Sequence, residues 1–168
     1  MLSAYLGDIT LATTDTIVNA ANPGLLGGGG VDGAIHRAAG PELLAFCKAI
    51  KMINGVRCPY GEARITRAGN LTCQYVVHAV GPIYHNESNP AQVLFNVYNH
   101  SLRLVKQHDC QSVTFPAISC GVYGYPHKEA AEVAIKACRQ AEFNKIHIAF
   151  ALFSPELLSI WQEAINTS

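Results

Sequence analysis

Apolar and polar positions follow two patterns along this chain: short, almost continuous apolar runs, and longer segments whose apolar residues recur at helical spacing. Runs such as 75–80 and 145–153 are typical of strands that are covered on both faces. In 91–107 the spacing predicts an amphipathic helix. The two patterns together predict strands at Leu2–Leu6, 16–19, Ala63–Arg67, 75–80, 112–118 and 145–153, and helices at 34–39, 42–50, 91–107, 127–142 and 155–165.

The order of these elements predicts the fold class. After the opening strands, strand and helix alternate, which indicates one α/β domain over residues 1–168 with three α/β/α layers and a mixed, mainly parallel sheet. Ligands of such sheets bind beyond the carboxyl ends of the strands. Four unusual stretches follow predicted strands, namely 7–9, 19–33, 119–126 and 153–154. We expect them to meet at one edge of the sheet.

The most unusual stretch contains four consecutive glycines at 27–30. Such a run is costly in backbone entropy, so it is expected where the chain turns tightly or comes close to a ligand. Backbone N–H groups ahead of a helix suit a phosphate. The run formally matches G-x-G-x-x-G at Gly28, Gly30 and Gly33, but it does not follow its strand directly and lacks the acid about 20 residues further on. A phosphate-binding turn and a purely structural turn therefore remain open.

Two polar side chains flank the glycines. Asp32 could cap the following helix, or it could order a water and accept its proton. An ordinary Asp, with a pKa near 3.9, is a poor base at neutral pH, so it would act mainly by orientation unless burial raises that pKa. Asn22 has a donor and an acceptor that suit sugar hydroxyls, or it is a turn residue before Pro23.

The loop at 119–126 offers a second set of backbone groups ahead of a helix. It could form another phosphate cradle with Tyr123 over a sugar, or it could be a simple turn with a packed tyrosine. Cys120 is a weak candidate nucleophile, because no nearby histidine in the sequence is an obvious base. Asp8 could accept hydrogen bonds from the amino group of a base, and Phe153 could stack on that base or pack in the core.

Composition narrows the class of ligand and partner. The formal net charge is zero and the pI is about 7.0, which disfavours nucleic acid and anionic membranes. The six cysteines show no C-x-x-C spacing, which favours a reducing cytoplasm, and the seven histidines show no metal-binding pattern. The first residues lack the features of a signal peptide, and no apolar run is long enough for a membrane span. We expect a cytoplasmic protein without metal or cofactor.

Six separated segments, in the right order and over nearly the whole chain, resemble the macrodomain family. More narrowly, they resemble its MacroD-type branch, which includes the bacterial O-acetyl-ADP-ribose deacetylases. The segments are 7–10, 17–22, 27–36, 58–63, 77–82 and 115–126. The chain departs from the family at Cys120, where a hydroxyl residue is common, and at 153–155, where relatives are more acidic.

The resemblance implies an ADP-ribose site. It would place Asp8 and Ile9 at the adenine with Phe153 beside them, and Asn22 and Asp32 at the distal ribose and the attacking water. Asp32 would be the proton acceptor, a role that a substrate phosphate could share. The diphosphate and the distal ribose would be held from two sides, by Gly30, Val31 and Gly33 and by Ser119, Cys120, Gly121, Val122 and Tyr123.

The resemblance also implies a reaction. We expect a hydrolase that removes mono-ADP-ribose from acidic side chains of proteins and deacetylates O-acetyl-ADP-ribose by metal-independent attack of water. Its partners would then be ADP-ribose, O-acetyl-ADP-ribose and mono-ADP-ribosylated proteins. A module that binds ADP-ribose without cleaving it is the alternative, and RNA binding is a third possibility that the neutral pI disfavours.

Overall fold

A six-stranded sheet lies between two layers of helices in the computed structural model, which describes residues 1–168. The strands are β1 (Leu2–Leu6), β2 (Thr16–Ala20), β3 (Ala63–Arg67), β4 (Tyr75–Ala79), β5 (Ser112–Phe115) and β6 (His147–Leu152). The helices are α1 (Gly30–Ala39), α2 (Pro41–Lys48), α3 (Pro90–Gln107), α4 (His127–Cys138) and α5 (Pro155–Thr167). No helix combines the length and the apolar character that crossing a membrane would require.

The strand order is β1-β6-β5-β2-β4-β3. All neighbouring strands are parallel except β3, which pairs antiparallel with β4 at one edge of the sheet. The predicted three-layer α/β/α fold with a mixed, mainly parallel sheet is therefore confirmed. Since five strands run in the same direction, the segments that follow them leave the sheet at one common edge.

Each face of the sheet has its own core. On one face, α3, α4 and α5 pack around an aromatic group in which the ring centroids of Phe115 and Phe150 are 5.7 Å apart, with Tyr98 and Trp161 beside them. On the other face, α1 and α2 cover a smaller apolar cluster. Burial from both sides explains why the parallel strands appear in the sequence as continuous apolar runs.

Some of the predicted element boundaries are wrong. Helix α1 begins at Gly30 rather than at residue 34, with Gly29 as its N-cap, and Gly30 has a φ of +56° that residues with a side chain disfavour. Strand β5 ends at Phe115 rather than at 118, since Pro116 has no N–H for the ladder. Helix α4 ends at Cys138 instead of 142, and β6 stops at Leu152, which leaves Phe153 outside the sheet.

Candidate active site

Two adjoining cavities lie at the carboxyl edge of the sheet, with volumes of about 410 and 550 Å³. The first is lined by nine of the predicted site residues: Asn22, Gly30, Val31, Asp32, Ser119, Gly121, Val122, Tyr123 and Phe153. The second is lined by Asp8 and Ile9, and it shares Gly30, Val31 and Phe153 with the first. The four stretches after β1, β2, β5 and β6 therefore meet at one edge, as predicted, and form one groove.

Two predicted site residues line neither cavity. Gly33 faces the glycine loop, where a Cβ would lie 2.5 Å from the carbonyl oxygen of Gly28. Its contribution is thus the close approach of the loop to α1. The Cys120 side chain is buried, and burial raises the pKa of its thiol to about 12. A thiol with that pKa is protonated at neutral pH, which excludes Cys120 as a nucleophile in this state.

The groove contains backbone donors without protein partners. None of the N–H groups of residues 28–32 or 121–123 donates to a protein acceptor. The first group includes the N-terminal turn of α1, where N–H groups and the helix dipole favour an anion. These eight N–H groups face the groove instead of a protein acceptor, so they are available to a polar ligand.

Asp32 lies in the first turn of α1 and is only 5% exposed. It is not the N-cap, so the capping alternative is wrong. Its Oδ1 accepts a hydrogen bond from Asn19 Nδ2 at 2.8 Å, and His36 Nε2 lies 3.4 Å from the same oxygen. Burial raises the pKa of the Asp32 carboxyl, and the Asn19 hydrogen bond and His36 offset part of that rise. A carboxylate with a raised pKa is a better proton acceptor near neutral pH.

The side chains of Asn22 and Asp32 both lie next to Gly28. A Cβ on Gly28 would be 3.4 Å from Asn22 Nδ2 and 3.2 Å from Asp32 Oδ2. Asn22 is also a turn residue, because its Oδ1 accepts from Gly24 N and its Nδ2 donates to Gly27 O, each at 3.2 Å. The turn therefore fixes the Asn22 amide at the groove.

The loop after β5 lines the groove opposite the glycine loop, and the segment after β4 holds it in place. Ser119, with a φ of +66°, donates its hydroxyl to Pro82 O at 2.8 Å, and Tyr123 O accepts from Tyr84 N at 2.9 Å. A Cβ at Gly81 would overlap Ser119 Oγ, so glycine is required there for the two segments to pack. The Tyr123 ring centroid lies 6.3 Å from that of Tyr60.

At the other end of the groove, the side chains of Asp8 and Phe153 are available to contact a ligand. One oxygen of Asp8, Oδ1, accepts from Thr10 N at 2.9 Å and from Thr10 Oγ1 at 2.7 Å. The second oxygen has no protein partner. The Phe153 ring is 70% exposed, so the core-packing alternative is wrong and the ring is available for stacking.

Sequence reasoning missed the buried polar residues behind Asp32. Asn19 on β2 and His78 on β4 are fully buried, and Asn19 Nδ2 lies 3.4 Å from His78 Nδ1. Both residues interrupt apolar strand patterns, and a buried polar residue of that kind needs a hydrogen-bonding partner. These interruptions of the apolar pattern were the available signal for Asn19 and His78. That the two residues face each other becomes visible only from the pairing of β2 with β4. No group of three or more His, Cys, Asp or Glu side chains lies together in a metal-binding arrangement.

The chain resembles several named proteins over nearly its whole length. A Macro domain-containing protein of Vibrio parahaemolyticus is 58% identical over 165 residues, covering 98% of this chain and 97% of that protein. An O-acetyl-ADP-ribose deacetylase of Klebsiella pneumoniae is 49% identical over 164 residues, covering 95% and 93%. A mutant Oceanobacillus iheyensis macrodomain with ADPR superimposes with a TM-score of 0.92 at 44% identity, covering 98% and 91%.

The family model described as Macro domain matches residues 18–134, the part of the chain that includes Asn19, Asn22, Asp32 and the loop at 119–126. By that match and by these relatives, the chain belongs to the Macro domain family.

Proposed function

We propose that this protein binds ADP-ribose in the groove and hydrolyses ADP-ribosyl esters there. The observation that carries the proposal is that the Asn22 and Asp32 side chains both lie beside Gly28, next to the free N–H groups of residues 28–32. A diphosphate on those donors would bring the sugar beyond it to the two side chains. The relatives named as O-acetyl-ADP-ribose deacetylases support the same reaction class.

The lining of the groove suggests the orientation of the ligand. The adenine would lie in the cavity of Asp8 and Ile9, with its amino group toward the free Asp8 oxygen and its ring against Phe153. The diphosphate would take the backbone donors of both loops. The distal ribose would then lie in the first cavity, beside Asn22, Asp32 and Tyr123.

The proposed reaction is attack of water on an ester. In O-acetyl-ADP-ribose, the water oxygen bonds to the acetyl carbon, the bond from that carbon to the ribose oxygen breaks, and the ribose oxygen takes a proton. Asp32 would orient the water and accept its proton, helped by its raised pKa. Asn22 would hold the ribose hydroxyls. A phosphate of the substrate is the competing proton acceptor.

Turnover by purified protein tests the proposal. We expect wild type to release ADP-ribose from an Asp/Glu-ADP-ribosylated protein and acetate from O-acetyl-ADP-ribose, and Asp32→Ala to lose both activities. Calorimetry with ADP-ribose should show that Asp32→Ala still binds. Cys120→Ser is the matched control, because its side chain is outside the groove. Equal, slow release by wild type and Asp32→Ala, with ADP-ribose bound by both, would identify a binding module instead.

Three further parts of the proposal concern the substrate, the role of metal and the location of the protein. We propose that the acyl group on the ribose can be an acidic side chain of a protein, and that the reaction needs no bound metal. Turnover that persists in EDTA would support the second point. The six cysteines are unpaired, which is compatible with the predicted cytoplasmic location. The location itself stays a prediction.

A further inference from the structure

A chain of four hydrogen-bonding groups runs from Asp32 through the sheet to β3. Asn19 Nδ2 donates to Asp32 Oδ1 at 2.8 Å and lies 3.4 Å from His78 Nδ1. His78 Nε2 lies 2.9 Å from Thr66 Oγ1. Thr66 Oγ1 in turn donates to the backbone oxygen of Arg67 at 2.9 Å. None of these groups beyond Asp32 lines the groove, and the reaction proposed above does not use them.

One direction of hydrogen bonding satisfies every group between Asn19 Nδ2 and Arg67 O. When the single proton of the Thr66 hydroxyl goes to Arg67 O, Oγ1 accepts from His78. His78 therefore has its proton on Nε2, and Nδ1 is left as an acceptor. An amide NH₂ is the group that can donate to Nδ1, so the Asn19 nitrogen faces both His78 and Asp32.

His78 is suited to act as a permanent acceptor. It is fully buried, and burial, together with the nearby His36, lowers its pKa to about 3. The ring is therefore neutral at physiological pH. A protonated ring would carry a donor on Nδ1 and would oppose the Asn19 NH₂ group.

We propose that His78 is a positioning residue for the hydrolysis: locked in its Nε2–H tautomer by Thr66, it holds the Asn19 NH₂ group toward Asp32 and so favours the ionised, oriented carboxylate. The reversed arrangement shows why. With the Asn19 oxygen toward Asp32, the carboxyl would have to be protonated, and His78 would have to donate from Nδ1. Nε2 would then have to accept a hydrogen bond from Thr66, which would lose its bond to Arg67 O, or from the weak S–H donor of Cys47.

Other titratable and charged groups surround Asp32 and His78, and they stay unchanged when Thr66 is substituted. They are His36 on α1, Cys47 on α2, Arg57 before β3, which acts on Cys47, and Tyr123 after β5. Of these, Cys47 is the one that touches the His78 ring, with Sγ 3.6 Å from Nε2. Sulfur is a weak acceptor, so it replaces the Thr66 oxygen only poorly.

Nitrogen-15 NMR of the histidine rings in wild-type protein gives the first test. We expect His78 in the Nε2–H tautomer from pH 6 to pH 8, in the presence and absence of ADP-ribose. An Nδ1–H tautomer would overturn the proposal, whether or not any variant folds. This measurement does not depend on turnover.

Titration of the Asp32 carboxyl by carbon-13 NMR gives the second test. Thr66→Val removes the hydroxyl at nearly constant shape, and we expect it to raise the Asp32 pKa by about half a unit to one unit. Thr66→Ser restores the hydroxyl and should titrate like wild type. Ser101→Ala is the control for loss of a buried hydroxyl elsewhere, since Ser101 donates to Val97 O within α3. Identical Asp32 titrations in all four proteins would refute the coupling.

The role in turnover rests on the proposed function, and the pH profile of kcat tests it separately. For Thr66→Val we expect the acid limb of the kcat profile to shift to higher pH, together with the Asp32 pKa. The affinity for ADP-ribose at pH 8 should stay unchanged. A structural defect alone would lower kcat at every pH without moving the limb. Absence of turnover in wild type would refute the proposed function, whereas the two NMR results would still decide the coupling.

Discussion

The buried ring of His78 should make the stability of this protein sensitive to mild acid. His78 has no exposed surface, and its pKa is lowered to about 3 by burial and by His36. In the unfolded chain a histidine titrates near 6.5. Below that pH the unfolded chain takes up a proton that the folded protein does not. We therefore expect His78→Gln to flatten the dependence of the free energy of unfolding on pH.

The magnitude follows from the two pKa values. The contribution of His78 is fully present above pH 6.5 and is lost as pH falls toward the native pKa of about 3. Well below 6.5 the loss approaches about 1.4 kcal/mol for each pH unit, which gives about 2 kcal/mol between pH 7 and pH 5. Since domains are stable by roughly 5–15 kcal/mol, a change of this size is readily measured.

Urea unfolding at several pH values is the assay. Trp161 is the only tryptophan and is fully buried, so its fluorescence reports global unfolding. His78→Gln should be less stable than wild type at pH 7, and the difference should shrink by about 2 kcal/mol at pH 5. His147→Gln removes an exposed imidazole and is the matched control. If the unfolding free energies of wild type and His78→Gln changed in parallel from pH 7 to pH 5, the prediction would be wrong. The buried ring would then take up a proton in the folded protein as well.

Three further predictions concern the groove. Gly33→Ala should destabilise the protein by roughly 1–3 kcal/mol in thermal melts, because its Cβ would overlap Gly28 O. Gly121→Ala, with no atom within 4 Å of its Cβ, should melt like wild type, and equal melts of the two variants would exclude the close approach. Asp32→Asn should have a larger free energy of unfolding than wild type at pH 8, since folding raises the Asp32 pKa. The difference in stability should vanish as pH falls through the native pKa of Asp32. A more stable wild type at pH 8 would refute this prediction. Phe153→Ala should change the free energy of unfolding by no more than about 0.5 kcal/mol, because the ring is exposed. In calorimetry it should weaken ADP-ribose binding by about 1–3 kcal/mol without weakening ribose 5-phosphate binding. An unchanged affinity for ADP-ribose would show that the ring does not contact the adenine.

The sequence predicts the fold well because burial dictates the pattern. A parallel strand covered on both faces is mostly apolar, and a helix on either face is amphipathic, so all six strands and five main helices appear as runs or as periodicity. The start of α1 was misplaced because glycine is a poor helix former, and helix propensity gives no reason to begin a helix at Gly30. The N–H groups of the glycines are nevertheless the ones that the first turn presents to the groove.

The front of the site was predictable, but the support behind it was not. Residues that follow parallel strands must gather at one edge, which brings Asn22, Asp32 and Tyr123 to the groove. Asn19 and His78 lie inside strands, where the pattern indicates only that something buried has to satisfy them. Their pairing depends on which strands are neighbours, and β2 and β4 are separated in the sequence by two helices and β3.

Several groups that a ligand or a reaction would change are concentrated in this groove. The N–H groups of 28–32 and 121–123 have no protein acceptors, and burial raises the pKa of the Asp32 carboxyl. A diphosphate would satisfy the donors, and a proton passed from water would neutralise the carboxylate. The buried chain through Asn19 and His78 opposes the second change in the resting protein, because it favours the charged carboxylate. The proposed proton acceptor thus combines a pKa raised by burial with hydrogen bonds that favour its charged form, so the buried support and the groove would act together in the proposed reaction.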